Sequence, residues 1–235
     1  MLGRLDLFYR FGVRVIQLTY NGRNLVGDGC LEPANAGLSR LGNRLVERLN
    51  ELGILIDLSH GGRQVTLDAI AASKKPVAIT HTGCAALADL PRNKTDVELR
   101  RLADRGGVVG IYLMSFLRLR GQPTSEDLIR HIEHAINVCG EDHVGIGSDG
   151  AISKARLTEK SKQIHRESIE KRRRLGISAP GEDPDVYMFL PDLNTPRRFE
   201  TIARKLLDRG HPESRVGKIL GGNFLRLMRE TWGLA

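Results

Sequence analysis

The chain has 235 residues, 40% of them hydrophobic and 27% charged, which is ordinary globular composition with enough apolar residues to bury a core. No apolar run approaches the roughly 18 residues of a membrane span, and the opening "MLGRLDLFYRFGVRV" lacks the small-residue cleavage region of a secretory signal. Cys30, Cys84 and Cys139 are odd in number, far apart and without CxxC spacing, so reduced thiols and a cytoplasmic location are expected.

The net charge of +8 is densest in "KARLTEKSKQIHRESIEKRRR" (154 to 174), where acidic residues are interleaved and His165 is the only ring able to stack. That pattern predicts a solvated charged helix, and no nucleic-acid partner is expected.

In chain order, five short runs are apolar nearly throughout, as buried parallel strands are: "VRVIQLT" (13 to 19), "ILIDLS" (54 to 59), "PVAIT" (76 to 80), "GVVGIYLM" (107 to 114) and "HVGIGS" (143 to 148). Helical spacing lies between them. "LSRLGNRLVERLNELG" places Leu38, Leu41, Leu45, Leu49 and Leu52 on one face, with Ser39 as a cap and Gly53 past the end. "TDVELRRLADRGG" opens with Thr95 and Glu98 as a capping box, and "TSEDLIRHIEHAINVCG" runs from Thr124 or Ser125 to Gly140. A long polar stretch (150 to 196) follows, holding the basic helix and the turn-rich "SAPGEDPD" and "LPDLNTP", and two helices close the chain. Alternating strand and helix predicts an α/β fold with a parallel sheet, here a single domain over 1–235 with an insertion at about 150–196.

Chemistry in such folds collects where strands end. His60 ends the second run and His81 the third, so two imidazoles can lean over one edge of neighbouring strands about 4.8 Å apart and share a divalent metal. Asp149, after the fifth run, could complete the ligand set, act as general base on water, or cap a turn. Tyr20 and Asn21 follow the first run, and Asp57 is in a phase suited to orienting the loop. In "DLPRNKTD", Arg92 beside Asn93 could hold a substrate carboxylate or lie on the surface. His131 and His134 are expected on the solvent flank of their helix.

The segments "GVRVIQLTYNGRNLVGDGC", "GLSRLGNRLVERLNELGILIDLSH", "PVAITHTGCAALADLPRNKTDVELRRLADRGGVVGI", "DHVGIGSDG" and "KILGGNFLRLMRETW" together resemble the membrane dipeptidase (renal dipeptidase) family of zinc peptidases, metal-dependent TIM barrels of the amidohydrolase kind. The resemblance implies hydrolysis of a dipeptide amide by metal-activated water at a two-zinc centre on the C-terminal face of a (β/α)8 barrel. It implies that His60 and His81 bind the second zinc, that Arg92 grips the substrate carboxylate with Asn93 beside it, and that Asp149 is the acid/base. Tyr20 stands where well-known members have a histidine. The family's His-x-Asp for the first zinc and its glutamate bridging both metals have no counterpart. The chain starts just before what corresponds to the fourth strand. The expectation is therefore a partial barrel of about five βα units with an incomplete zinc centre, and the alternative is a non-catalytic truncated barrel serving as a binding or assembly module. Homo-oligomerisation would cover the open edges that such a barrel leaves.

Overall fold

A computed structural model describes residues 3–233. Five strands, β1 (Val15–Gln17), β2 (Leu55–Asp57), β3 (Ala78–Thr82), β4 (Val108–Ile111) and β5 (Val144–Ile146), pair in sequence order, every pair parallel. Between them run α2 (Arg40–Leu52), α3 (Arg63–Ala72), α4 (Asp96–Ala103) and α5 (Ser125–Cys139), each packed against the next. The expected α/β class with a parallel sheet is the one observed, in the arrangement of five consecutive units of a (β/α)8 barrel.

The helices begin where side chains can satisfy their first amides. Ser39 accepts from the Gly42 N–H at 3.0 Å, Thr95 and Glu98 form the reciprocal capping box, and Thr124 forms another with Asp127. Gly53 ends α2 at φ 67°, a left-handed cap open to glycine without strain. Two helices carried no signal in the sequence reading: α1 (Arg4–Arg10), ahead of the sheet, and α3, which starts directly after Gly62 without a side-chain cap.

Strand residues alternate between two apolar clusters. Ile54, Ile56, Val77, Ile79 and Val109 face the helices in a large core, while Leu55, Ala78 and Val108, at the starts of three strands, face inward against Leu227 and Phe224 of α9 (Asn223–Trp232). This last helix lies along the N-terminal rim of the sheet. The Trp232 indole N–H donates to the Arg14 carbonyl at 3.1 Å, the Lys75 ammonium to the Thr231 carbonyl at 2.9 Å, and Arg226 to the Gly106 and Asp142 carbonyls. The inner face is thus closed by apolar contacts at one end and carries polar groups at the other.

The 150–196 stretch is a folded flap. It contains α6 (Glu159–Arg174), a turn through 177–188 and a short 3-10 turn at Pro191–Leu193, followed by α7 (Arg198–Asp208) and α8 (Glu213–Gly217). Arg172 meets Glu182 with two bonds of 2.8 Å, His165 contacts the Val186 carbonyl at 2.9 Å, and Gln122 is bonded to Tyr187 and Phe189.

One expectation fails. His131 is not on a solvent flank but buried: its Nδ1 accepts from the Cys84 N–H at 2.9 Å and its Nε2 donates to the Leu117 carbonyl at 3.0 Å. The reason is periodicity, since His131 falls on the same face of α5 as buried Leu128, Ile132 and Ala135. His134 is half-buried against Asp96 of α4, with Nε2 and Oδ1 2.8 Å apart.

Candidate active site

The rim at the C-terminal ends of the strands is organised around one carboxylate. Asp57, at the end of β2, is buried, and its Oδ1 accepts from the Ser59 N–H (3.0 Å), the Ser59 hydroxyl (2.5 Å) and the Thr80 N–H (3.0 Å), while Oδ2 accepts from the Thr80 hydroxyl at 2.8 Å. Backbone register between β2 and β3 is limited to Asp57 against Ala78, so these side-chain bonds supply the connection at the top of the two strands.

A bulge in β3 re-aims its end. Ile79 pairs with Val109 but Thr82 with Ile111, so Thr80 and His81 oppose the single residue Gly110. The Thr80 carbonyl is pushed over Gly110 and Gly147, where a β-carbon at either glycine would collide with it.

Hydrogen bonds assign the tautomers. The Thr80 hydroxyl spends its proton on Asp57, so at 2.9 Å it accepts from His81 Nδ1–H, leaving the Nε2 lone pair of His81 free. His60 Nδ1–H donates to the Asn21 side-chain carbonyl at 2.8 Å, again leaving Nε2 as the open nitrogen. The rings meet edge to face with centroids 5.1 Å apart, and Tyr20 stacks on His60 at 4.2 Å. Burial lowers the pKa of His60 to about 2, with Arg92, His81 and Lys94 adding to the effect. Burial lowers that of His81 as well, against the opposing pull of Asp149 and Asp57. Both imidazoles are therefore neutral near pH 7, the form in which histidine binds metal.

Asp149 follows β5 in the left-handed region at φ 49°, a conformation that asparagine and aspartate tolerate best among residues with a β-carbon. Its Oδ2 lies 4.0 Å from His81 Nε2. It caps no helix, because the next one, α6, is capped by Thr158.

The loop 92–94 holds the histidine loops in place. Arg92, buried, donates to the Ser59 carbonyl at 2.8 Å, and Lys94, buried, donates to the Gly61 carbonyl at 2.6 Å and the Thr66 hydroxyl at 2.8 Å, so two cations grip the carbonyls on either side of His60. Burial lowers the pKa of Lys94, opposed by Glu98 at 3.4 Å. The Asn93 amide donates to the Ala88 and Phe116 carbonyls and accepts from the Gly83 N–H and the Tyr112 hydroxyl. Asn93 lines a polar cleft of about 410 Å³ behind the His60 loop, whereas Tyr20, His60, Arg92 and Asp149 share a different cavity of about 260 Å³.

That second cavity also takes in His165, Ile169 and Arg172 of α6 together with Glu182 and Met188. Sequence reasoning missed these residues, because a charged helix reads as solvated and only Ile164 and Ile169 break its polarity. Asn21, noted only as a rim residue, proves to orient His60. His81 Nε2 is buried with no hydrogen-bond partner, one of two such side-chain atoms among the described residues. An orphaned neutral imidazole nitrogen beside a second open one suits zinc, which these two histidines could hold through two of four positions. No cluster of three or more His, Cys, Asp or Glu able to hold a metal occurs among the described residues.

An open parallel barrel sector with paired histidines at its C-terminal rim defines a metal-dependent hydrolase type of fold. Residues 1–162 match the family model of membrane dipeptidase, peptidase family M19, and the chain belongs to that family. It is 38% identical over 231 residues to "Dipeptidase verJ" of Clonostachys rogersoniana, which covers 96% of this chain and 50% of that protein. To an uncharacterised protein of the pqqA 5' region in Klebsiella pneumoniae it is 31% identical over 239 residues, 97% of this chain and 76% of the other. Among solved structures, an amidohydrolase from Pseudomonas aeruginosa superposes with a TM-score of 0.84 at 34% identity, over 99% of this chain and 69% of that one. A Rhodobacter sphaeroides metallopeptidase bound to a phosphinate mimic of L-Ala-D-Ala superposes at 0.76 and 24% identity, over 97% and 58%, and shares the fold. The chain thus spans about half the length of the curated dipeptidases it matches. No helix among the described residues is long and apolar enough to cross a membrane.

Proposed function

We propose that this chain carries the second-metal, carboxylate-binding and proton-transfer side of a zinc dipeptidase site, acting on the amide bond of a dipeptide. The observation that carries the reading is the orphaned Nε2 of His81, buried beside the open Nε2 face of His60 and 4.0 Å from the Asp149 carboxylate. His60 and His81 would hold the zinc ion. Bound there, zinc supplies Lewis acidity that makes water a competent nucleophile at neutral pH. Asp149, on the cavity side of His81, holds and returns the proton at its Oδ2. Arg92 lines the shared cavity with its NH1 committed to the Ser59 carbonyl, and its remaining N–H groups would bind the substrate carboxylate. Tyr20, stacked on His60, stands beside the scissile carbonyl, and Asn93 contributes through the Gly83 amide and loop 92–94 rather than by touching substrate. Three free thiols support a cytoplasmic setting for this chemistry.

The test is zinc titration followed by dipeptide hydrolysis. One ion bound per chain, lost in His81→Ala, with dipeptide turnover when the chain is supplied with the N-terminal strands of a relative, turnover that disappears in Asp149→Asn, is the expected result. Zinc binding without turnover, unchanged when the chain is supplied with the N-terminal strands of a relative, would favour the second reading, a binding module that keeps the rim and does no chemistry. Failure to bind zinc would remove both metal-dependent versions.

A further inference from the structure

The two imidazoles are held on their Nδ1 sides by different kinds of acceptor. His60 Nδ1–H donates at 2.8 Å to the side-chain carbonyl of Asn21, a neutral amide. His81 is tied to the Asp57 carboxylate twice, each time through a hydroxyl. The Ser59 hydroxyl donates to Asp57 Oδ1 at 2.5 Å and accepts the His81 backbone N–H at 3.0 Å. The Thr80 hydroxyl donates to Asp57 Oδ2 at 2.8 Å and accepts the His81 Nδ1–H at 2.9 Å. A hydroxyl has one proton, and with that proton on Asp57 it faces His81 as an acceptor only. Asp57 itself meets four donors, the surroundings of an ionised carboxylate.

We infer that Thr80 is a positioning residue: its hydroxyl passes the charge of Asp57 to His81, locks that ring with its proton on Nδ1 and makes His81 the stronger of the two metal donors, with His60 the weaker. The inference rests on the zinc reading of the two histidines. Hydrogen bonds in a chain polarise one another in a low dielectric, and a proton drawn away from Nδ1 leaves more electron density at Nε2. The nitrogen that gains is the buried one without a partner. Asn21 gives His60 the same orientation without that polarisation. In the sequence the relay is split into Asp57-Leu58-Ser59 and Thr80-His81, two short pieces that join only when β2 and β3 lie side by side.

The experiment compares wild type with Thr80→Val, Thr80→Ser and Asn21→Asp by two readouts: nitrogen NMR of the imidazoles in the metal-free chain, which reports the tautomer, and calorimetric zinc titration. Thr80→Val keeps the shape of the side chain and removes the hydroxyl. It should turn His81 into a mixture of tautomers and weaken zinc binding by about 10- to 100-fold, and Thr80→Ser should return both to wild-type behaviour. The ring nitrogens of His131, held by Cys84 and Leu117, should stay unmoved in every variant, which separates loss of the relay from loss of the fold. Asn21→Asp puts a carboxylate on His60 and should tighten zinc binding by about tenfold, a gain that a misfolded variant cannot produce. An unmoved His81 tautomer or an unchanged zinc affinity in Thr80→Val, or no gain in Asn21→Asp, would overturn the relay while leaving the zinc reading intact. Wild type that binds no zinc would remove that reading and the ranking of the two donors together.

Discussion

Lys94 and Glu98 form an ion pair with both side chains about 97% buried, set under the backbone that carries His60. The ammonium is worth keeping there because its other protons reach the Gly61 carbonyl and Thr66 hydroxyl, groups that would otherwise be buried without a donor. Lys94→Met should destabilise the fold by about 3 to 5 kcal/mol, since it strands the Glu98 charge, and Lys94→Met with Glu98→Gln, which keeps the cap on Thr95, should recover part of the loss. Urea denaturation of the two variants beside wild type checks this, and an equal loss in both would show that the pair is not the cause. At this scale the sequence was informative for residues that end strands. His60, His81, Asp149, Arg92 and Tyr20 share one cavity rim, or its immediate wall, in the structure. Lys94 could not be read in the same way, because a lysine in a polar loop looks solvated until the carbonyls above it are known. His131 failed for the converse reason: Leu128 and Ala135, three residues before it and four after, are apolar and buried and share its face of α5, whereas the histidine was grouped with His134, which lies off that face.

The strand end at β3 depends on a geometry that no motif announces. Its bulge turns the Thr80 carbonyl across β4 and the end of β5, which leaves room for hydrogen alone at Gly110 and Gly147. Gly147→Ala should therefore be destabilising by more than about 2 kcal/mol, through backbone displacement rather than lost contacts, and should broaden or shift the side-chain resonances of His81 more than those of His131. Uniform shifts across both histidines would argue against a local origin. Among the elements, caps were legible because they depend on neighbours in the chain, as at Ser39, Thr95 and Gly53. The basic helix of the flap was legible, but its placement was not. Its placement rests on pairings such as Arg172 with Glu182 and Gln122 with Tyr187, in which the second partners lie 10 and 65 residues away and carry no periodic signal.

Across the molecule, apolar closure and the candidate site occupy opposite ends of one sheet. The N-terminal rim is sealed by α9 through Leu227 and Phe224, and the C-terminal rim holds the buried imidazoles and their polar supports. Burial lowers the pKa of His131 to about 4 despite a hydrogen bond to Leu117 that opposes the shift. An unfolded chain binds that proton near pH 6.5, so it holds more protons than the fold between about 6.5 and 4. Stability from this group is complete above that window and is lost as pH falls through it, by an amount on the order of 3 kcal/mol. Urea midpoints at pH 7 and pH 4.5 should differ more for wild type than for His131→Gln, and an unchanged difference would place the acid sensitivity elsewhere. The parallel class was legible from apolar runs alternating with helical segments, because burial on both faces leaves few polar residues in a strand, and the consecutive order of a barrel came from the family resemblance. Closure of the inner face by the last helix was not legible, since α9 reads as an ordinary amphipathic segment. The Asp57 carboxylate has one more consequence. With both oxygens bonded to two successive strand tops, it makes a single mechanical body of the two imidazole supports. The two supports are therefore expected to move as a pair, whereas Asp149 sits on a separate turn, with its Oδ2 4.0 Å from His81 Nε2. Under the proposed zinc reading, warming should accordingly widen the separation of Asp149 from His81 before it parts the two imidazoles.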